Sequence, residues 1–258
     1  MSAHPPRRGS HAPPIAIIFE DADLCAIDKP AGWSTVSERW DPNAVPMMDG
    51  LWAIWQKQDP DAPRPHVVHR LDKDTTGLLL FARNRDAQAA VRRQFRERVV
   101  QKSYLALAVG VPPVDSGVIE IAIDEDPRKA GRMRVVQRGG KECSTAYEIV
   151  ERFEGYSLIR LRPKTGRTHQ VRISLQHIGT PCAADPVYGD GAALYSSQWI
   201  RGYRKGRGRE ERPLLARTAL HAETLALEHP AGQQLELAAA LPKDLEVTLK
   251  QLRKWRKI

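Results

Sequence analysis

Residues 66–83 read His66-Val-Val-His-Arg-Leu-Asp-Lys-Asp-Thr-Thr-Gly-Leu-Leu-Leu-Phe-Ala-Arg83, crowding His69, Arg70, Asp72 and Asp74 into one short polar segment. The residue types support two readings by themselves. One is a solvated turn, because aspartate side chains satisfy turn backbone by bonding to nearby N–H groups. The other is a metal site, with His66 and His69 spaced HxxH and two carboxylates close by. Zinc histidines of that kind sit four apart on a helix with a glutamate between them, whereas this segment is β-like. An ionised aspartate is also a nucleophile or general base, and a neighbouring arginine holds such a carboxylate ionised and oriented.

Flanking apolar runs position the segment. Val67-Val68 precedes it, and residues 78–81 form a short, bounded, apolar run that reads as a buried strand. Residues 72–77 then form the turn before that strand, with Gly77 free to take positive φ. A polar loop held by buried strands is a common mount for chemistry. Upstream, residues 15–19 and 24–27 read as strands, Lys29-Pro-Ala-Gly32 as a turn, and 47–58 as a helix whose Trp52 and Trp55 serve the core rather than a ligand. Asn84 caps a helix that turns Ala87, Ala90, Val91, Gln94 and Phe95 inward. Its other face carries Arg85, Arg92, Arg93, Arg96 and Arg98, a solvated face or a polyanion contact.

Strand periodicity places Tyr104, Ala106 and Ala108 on one face of 102–109, with Leu105, Leu107 and Val109 on the other. Residues 117–123 form a further strand, and basic 128–138 a mobile hairpin. Residues 143–153 and 156–161 form a hairpin about Glu154-Gly155. Thr168 is positioned to cap a helix to Ile178 with Gly179 as its stop. Residues 182–195 are loop, and 201–212 is a basic loop. Residues 219–227 and 234–237 are strands, and Leu241-Pro-Lys-Asp244 opens a last helix that turns Leu245, Leu249 and Leu252 inward. No regular βαβ alternation occurs, so the class expected is α+β, a mixed, largely antiparallel central sheet with flanking helices.

The chain has 258 residues, 40 Lys+Arg against 31 Asp+Glu and a net charge of +9, a balance that favours a polyanionic partner. Cys25, Cys143 and Cys182 are odd in number and far apart, with no CxxC, which argues against a disulfide framework or zinc ribbon and fits a reducing compartment. No secretory leader and no apolar run approaching the ~18 residues of a membrane span is visible, so the cytoplasm is the expected location. Neither a Walker loop nor a GxGxxG occurs. Residues 1–14 read as a disordered tail and 15–258 as one catalytic domain.

Arg70-Leu-Asp72 followed by Thr75-Thr-Gly-Leu-Leu79 resembles the catalytic motif of RluA-type RNA pseudouridine synthases, with Thr76 where the family commonly has serine. Four more stretches resemble that family in its order. They are Lys29-Pro-Ala-Gly32, Lys102-Ser-Tyr104, Lys164-Thr-Gly-Arg-Thr-His-Gln-Val-Arg172, and His221-Ala-Glu-Thr-Leu225 with His229-Pro230. After Gly32, Trp33-Ser-Thr-Val-Ser-Glu-Arg-Trp40 departs from the family's apolar continuation.

The resemblance implies a pseudouridine synthase fold with a catalytic cleft, here without an N-terminal S4-like RNA-binding domain. It implies isomerisation of uridine in structured RNA, ribosomal RNA slightly ahead of transfer RNA, without metal or cofactor. Asp72 is the implied catalytic carboxylate, Arg172 its partner, and Tyr104 the ring that stacks on the uracil. Arg70 contacts the flipped nucleotide or fills its place, Arg167 meets phosphate, and His169 bonds structurally. Leu220 contributes to the pocket wall, and a monomer is the expected state. The rivals are an RNA-binding module without catalysis, which needs only the basic surface, and a metal-dependent hydrolase.

Overall fold

The computed structural model describes residues 15–36, 46–200, 202–204 and 210–258. The expected N-terminal tail therefore lies outside the described residues, as do 201 and 205–209 of the basic 201–212 stretch. In chain order the strands are β1 (Ala16–Glu20), β2 (Leu24–Lys29), β3 (His66–Val67), β4 (Thr76–Ala82), β5 (Gln101–Val109), β6 (Ser116–Glu125), β7 (Met133–Val136), β8 (Lys141–Phe153), β9 (Tyr156–Pro163), β10 (Leu220–Glu228) and β11 (Gln234–Ala238). The helices are α1 (Met47–Gln58), α2 (Arg85–Glu97), α3 (Gln170–His177) and α4 (Lys243–Trp255). The elements are those of the α+β class expected. Two compact units emerge, one reaching to Gln101 and including Ala222–Ala240, the other Lys102–His221 with Leu241–Ile258. No helix among the described residues is long and apolar enough to cross a membrane.

In the first unit the strand order is β1-β2-β4-β10-β11, with β3 beside β4. The β1–β2, β2–β4, β3–β4 and β10–β11 ladders are antiparallel. All of β4 is buried, as its unbroken Leu-Leu-Leu-Phe run requires. Leu78 and Leu80 pack with Leu24 and Ala26 of β2, Ala87 and Val91 of α2, and Leu225 and Leu227 of β10. The Asn84 side chain accepts the Ala87 N–H at 2.8 Å and so caps α2, as its sequence position foretold. On α1, Trp55 is buried and the Trp52 indole donates to the Ala62 carbonyl, so both serve packing.

The second unit orders its strands β5-β9-β8-β6-β7, all antiparallel. The alternation along β5 sorts two cores. Ala106 and Ala108 join Val171, Ile173 and Leu175 of α3, whereas Leu105 and Leu107 join Leu245, Leu249 and Leu252 of α4. The basic hairpin expected at 128–138 is present, its strand β7 pairing residue for residue with β6 from Ala122↔Val136 to Glu125↔Met133. One sequence expectation needs correction. Thr168 is not the cap of α3: the helix starts at Gln170, and its cap position is His169 at φ 55 with no side-chain cap bond. The left-handed residue is held by bonds made further along, described below.

Candidate active site

The Asp72 loop is pinned by groups from the β2 end of the first unit. Lys29 is fully buried, and its ammonium donates to the carbonyls of Pro30 (3.0 Å), Trp33 (2.8 Å) and Lys73 (2.9 Å). The Lys73 carbonyl also accepts the Gly32 N–H at 3.0 Å. Gly32 sits at φ +83, a conformation that a side chain would strain. Thr35 Oγ1 accepts the Leu71 N–H at 3.1 Å and donates to the Leu71 carbonyl at 3.2 Å, so one hydroxyl satisfies both backbone groups of the residue before Asp72. The turn closes through Thr75 N–H to the Asp72 carbonyl, 3.1 Å. Leu71 and Thr75 are buried on either side, Asp72 is half-buried and Arg70 is exposed. The carboxylate thus rides on fixed backbone with solvent access, the condition for a positioned nucleophile or base.

His69 is committed to structure. Its Nε2 accepts the Leu80 N–H at 3.0 Å, and its ring stacks on Phe95 of α2 at 5.1 Å. A nitrogen lone pair used this way is not offered to a metal, so Nε2 of His69 is unavailable to the HxxH reading of His66 and His69. Among the described residues no cluster of three or more His, Cys, Asp or Glu is arranged to hold a metal ion.

Tyr104, Arg167, Arg172 and Leu220 lie in the second unit. Tyr104 is half-buried on β5 and packs against the core that contains Leu220, which is itself buried. One strand residue pair earlier, the Lys102 ammonium donates to the Thr165 carbonyl at 3.2 Å. Burial pulls the Lys102 ammonium down to about 8. The Thr165-Gly166-Arg167 turn is organised by buried Gln170. Its Oε1 accepts Thr165 Oγ1 (2.7 Å) and the Arg167 N–H (3.0 Å), while its Nε2 donates to the Ser144 carbonyl and Thr145 Oγ1. Four bonds from one side chain replace the cap that Thr168 was expected to supply, and they leave the Arg167 side chain exposed.

Arg172 lies on α3 and is 6 % exposed. Its Nε and Nη2 fork onto Asp185, at 2.7 and 2.8 Å, a geometry that only arginine offers a carboxylate. Asp185 Oδ1 also accepts the N–H groups of Val187 (2.9 Å) and Tyr188 (3.1 Å). Burial alone would raise the Asp185 carboxyl, but the Arg172 bonds and charge with the two backbone donors outweigh it and hold it below the ordinary range. The Arg172 guanidinium stands 5.2 Å over the Tyr188 ring. The Tyr188 hydroxyl accepts the Met133 N–H at 2.9 Å and bonds His169 Nδ1 at 3.1 Å. His169 is therefore the structural hydrogen-bonder expected. Asp185, Tyr188, Gln170, Lys29 and Thr35 are the positioning groups that sequence reasoning did not single out. Lys29 and Gln170 stood inside quoted motifs, but nothing in their spacing showed their partners.

Comparison with known proteins shows which family the chain belongs to. The family model for RNA pseudouridylate synthase matches residues 23–177. A protein of Xanthomonas campestris pv. campestris named ribosomal large subunit pseudouridine synthase D is 35% identical over 244 residues, covering 93% of this chain and 70% of the relative. Its namesake in Nitrosomonas europaea is 39% identical over 245 residues, covering 95% of this chain and 67% of that one. The solved structure of human RNA pseudouridylate synthase domain containing 4 superposes with a TM-score of 0.72 at 28% identity, covering 92% of this chain and 93% of that one. The chain belongs to the RNA pseudouridylate synthase family, of the RluA type. It is an isomerase of the pseudouridine synthase class.

Proposed function

We propose that this enzyme converts specific uridines of large-subunit ribosomal RNA to pseudouridine, with Asp72 as its essential carboxylate. The observation that carries the reading is the mounting of Asp72. It sits half-buried at a turn whose flanking carbonyls and amides are tied down by Lys29, Thr35 and Gly32. The names of the Xanthomonas and Nitrosomonas relatives point to the ribosomal large subunit as the source of the RNA. The three cysteines are free and buried, which fits a reaction in the reducing cytoplasm.

The reaction breaks the C1′–N1 bond, turns the uracil, and joins C1′ to C5. N1 ends with a proton and the C5 proton is lost, so the sum is an isomerisation with no redox change. The target base must leave its stack, at a cost of a few kcal/mol. In this reading the Asp72 carboxylate attacks the nucleoside or removes its proton, with Arg172 as the basic partner that the family resemblance implies. The Tyr104 ring stacks on the uracil, a contact of about 1–3 kcal/mol. Arg70 meets the flipped nucleotide, Arg167 meets phosphate, and Leu220 backs the Tyr104 side of the site.

Asp72→Asn tests this by removing charge at constant shape. In a single-turnover assay on ribosomal RNA labelled with 5-tritiated uridine, tritium leaves only when C5 becomes the glycosidic carbon. The parent should release it, and the folded variant should release none while still binding RNA, since affinity comes from distributed basic contacts. Parental release from a folded Asp72→Asn enzyme would leave only a role in RNA binding for this residue.

A further inference from the structure

Helix α2 has two unlike faces, and the inner one is tied to the rest of the first unit. Its inner face grips the segment that leads into the Asp72 loop. Gln88 Nε2 donates to the Val67 carbonyl at 3.0 Å, and Phe95 stacks on His69, three residues before Asp72. Gln94 fixes the far side of the helix through two bonds to Glu228 backbone, at 2.7 and 2.9 Å. The helix is thus a rigid mount tied to the reactive loop.

The outer face is a stripe of arginine. Arg85, Arg92 and Arg96 follow one another at seven and four residues, with Arg93 and Arg98 beside them, all exposed. At ~1.5 Å per residue the stripe is roughly 16 Å long. Between its cationic ends Ala89 and Ala90 leave a shallow depression of about 520 Å³, also lined by Gln88, Arg92, Arg93 and Arg96.

Several arginines elsewhere are compensated. Arg64, Arg83, Arg152, Arg217, Arg253 and Arg256 each meet a carboxylate. Among the described residues, no ion pair involves the five arginines of the α2 stripe. Glu97 lies four residues after Arg93, a spacing that suits pairing, yet no bridge to it forms. Arg92 and Arg96 one turn apart repel, which costs the isolated helix a few tenths of a kcal/mol. A row of uncompensated guanidinium groups on a tethered helix, over small side chains, complements a row of phosphates. Duplex nucleic acid carries one charge per ~1.7 Å of axis, so the stripe spans several.

We propose that the outer face of α2 is a phosphate-docking surface for the RNA flanking the target uridine, and that the helix passes the register of that RNA to the Asp72 loop through Gln88 and Phe95. The proposal rests on the reading of RNA as this enzyme's substrate. It assigns α2 a sequence-independent role, positioning the duplex rather than reading bases.

The test compares RNA binding across salt concentrations, using a large-subunit ribosomal RNA transcript. In the triple variant Arg92→Gln, Arg93→Gln, Arg96→Gln, three lost phosphate contacts should flatten the log K against log[salt] slope by about 2.7. Affinity near physiological salt should fall on the order of 100-fold by the same slope. The single-turnover tritium-release rate at saturating enzyme should stay within about twofold of the parent, since these side chains lie off the reacting atoms. A control triple, Arg152→Gln, Arg253→Gln, Arg256→Gln, removes the same charge from ion-paired positions and should keep the parental slope. Ala89→Glu, an exposed helix-compatible change, provides a second route: it places an acid in the depression and should weaken binding in the same direction. An unchanged slope in the α2 triple, or an equal loss in the control, would overturn the proposal. So would a fall in the saturating rate with no loss of affinity. If the parent releases no tritium while the slope difference persists, the isomerase reading fails and the docking surface stands. If it releases tritium with identical slopes, the surface fails and the isomerase stands.

Discussion

Asp185→Asn removes one charge where two meet out of water. Asp185 has no exposed surface, and its carboxylate accepts four hydrogen bonds: Arg172 Nε and Nη2, and the N–H groups of Val187 and Tyr188. An asparagine oxygen in the Oδ1 place keeps both backbone bonds and the Nη2 contact. The new amide nitrogen then faces Arg172 Nε, donor against donor. Breaking a buried pair by removing one partner costs about 3–5 kcal/mol, because the other charge is left buried. The bonds that the amide retains recover part of that, which leaves an expected loss of roughly 2–4 kcal/mol. For a chain of this size the melting temperature should fall by about 5–15 °C.

The same change acts on the chemistry. If Arg172 orients the Asp72 carboxylate, then loosening Arg172 should slow single-turnover tritium release about 10- to 100-fold with little change in RNA affinity. A merely structural role would move the melting curve and leave the turnover of the folded fraction alone. Acid titration gives a second handle. The Asp185 carboxyl is held below its ordinary value, so its stabilisation is fully present above the unfolded value, about 3.9. It is lost as pH falls through the lower folded value. Parent and Asp185→Asn should therefore differ at neutral pH and converge in strong acid, measured by urea unfolding at each pH. Equal unfolding midpoints at neutral pH together with equal release rates would refute the argument that Asp185 holds Arg172.

Two further outcomes follow from the site. Lys29→Met keeps the stem and removes the ammonium, leaving the Pro30, Trp33 and Lys73 carbonyls without that donor; the expected loss is about 2–4 kcal/mol, with a slower single turnover and unchanged salt slope, and parental stability by urea titration would contradict the clamp. Tyr104→Ala should lose most of the tritium-release rate while Tyr104→Phe keeps bulk RNA affinity, since the ring supplies stacking and the phosphate contacts lie elsewhere; a Tyr104→Ala enzyme that folds and turns over like the parent would assign the ring to the core.

The elements that the sequence displayed are those with local signals. The Asn84 cap is one residue's bond three residues on. The alternation of β5 needs only nearest neighbours, and it sorted Ala106 and Ala108 from Leu105 and Leu107 as the two cores do. The hairpin at 128–138 was legible but the bounds of β7 were not, because its four residues, Met-Arg-Val-Val, lie among glycines and arginines and gain their strand character by pairing with β6. The α3 start was misplaced for a related reason. Thr168 has the right type for a cap, but Gln170 bonds Thr165 and the Arg167 N–H and thereby fixes the turn from inside the helix. A Gln in first-turn position carries no such message in its identity.

Burial separates two kinds of site residue that the sequence could not tell apart. Arg70, Asp72, Tyr104 and Arg167 are exposed or half-buried, whereas Lys29, Gln170, Arg172 and Asp185 are buried. A group that must meet a flipped base or a phosphate has to reach solvent in the free enzyme. A group that fixes backbone does best where water cannot compete for its bonds. Lys29 illustrates the second kind. A lone buried ammonium is costly, and this one is tolerated because main-chain carbonyls from both the Lys29-Pro-Ala-Gly32 turn and the Asp72 loop converge on it. The lysine therefore stands in its motif for the loop that it holds, 44 residues away, and the two motifs act as one structural unit whose product is the fixed position of Asp72.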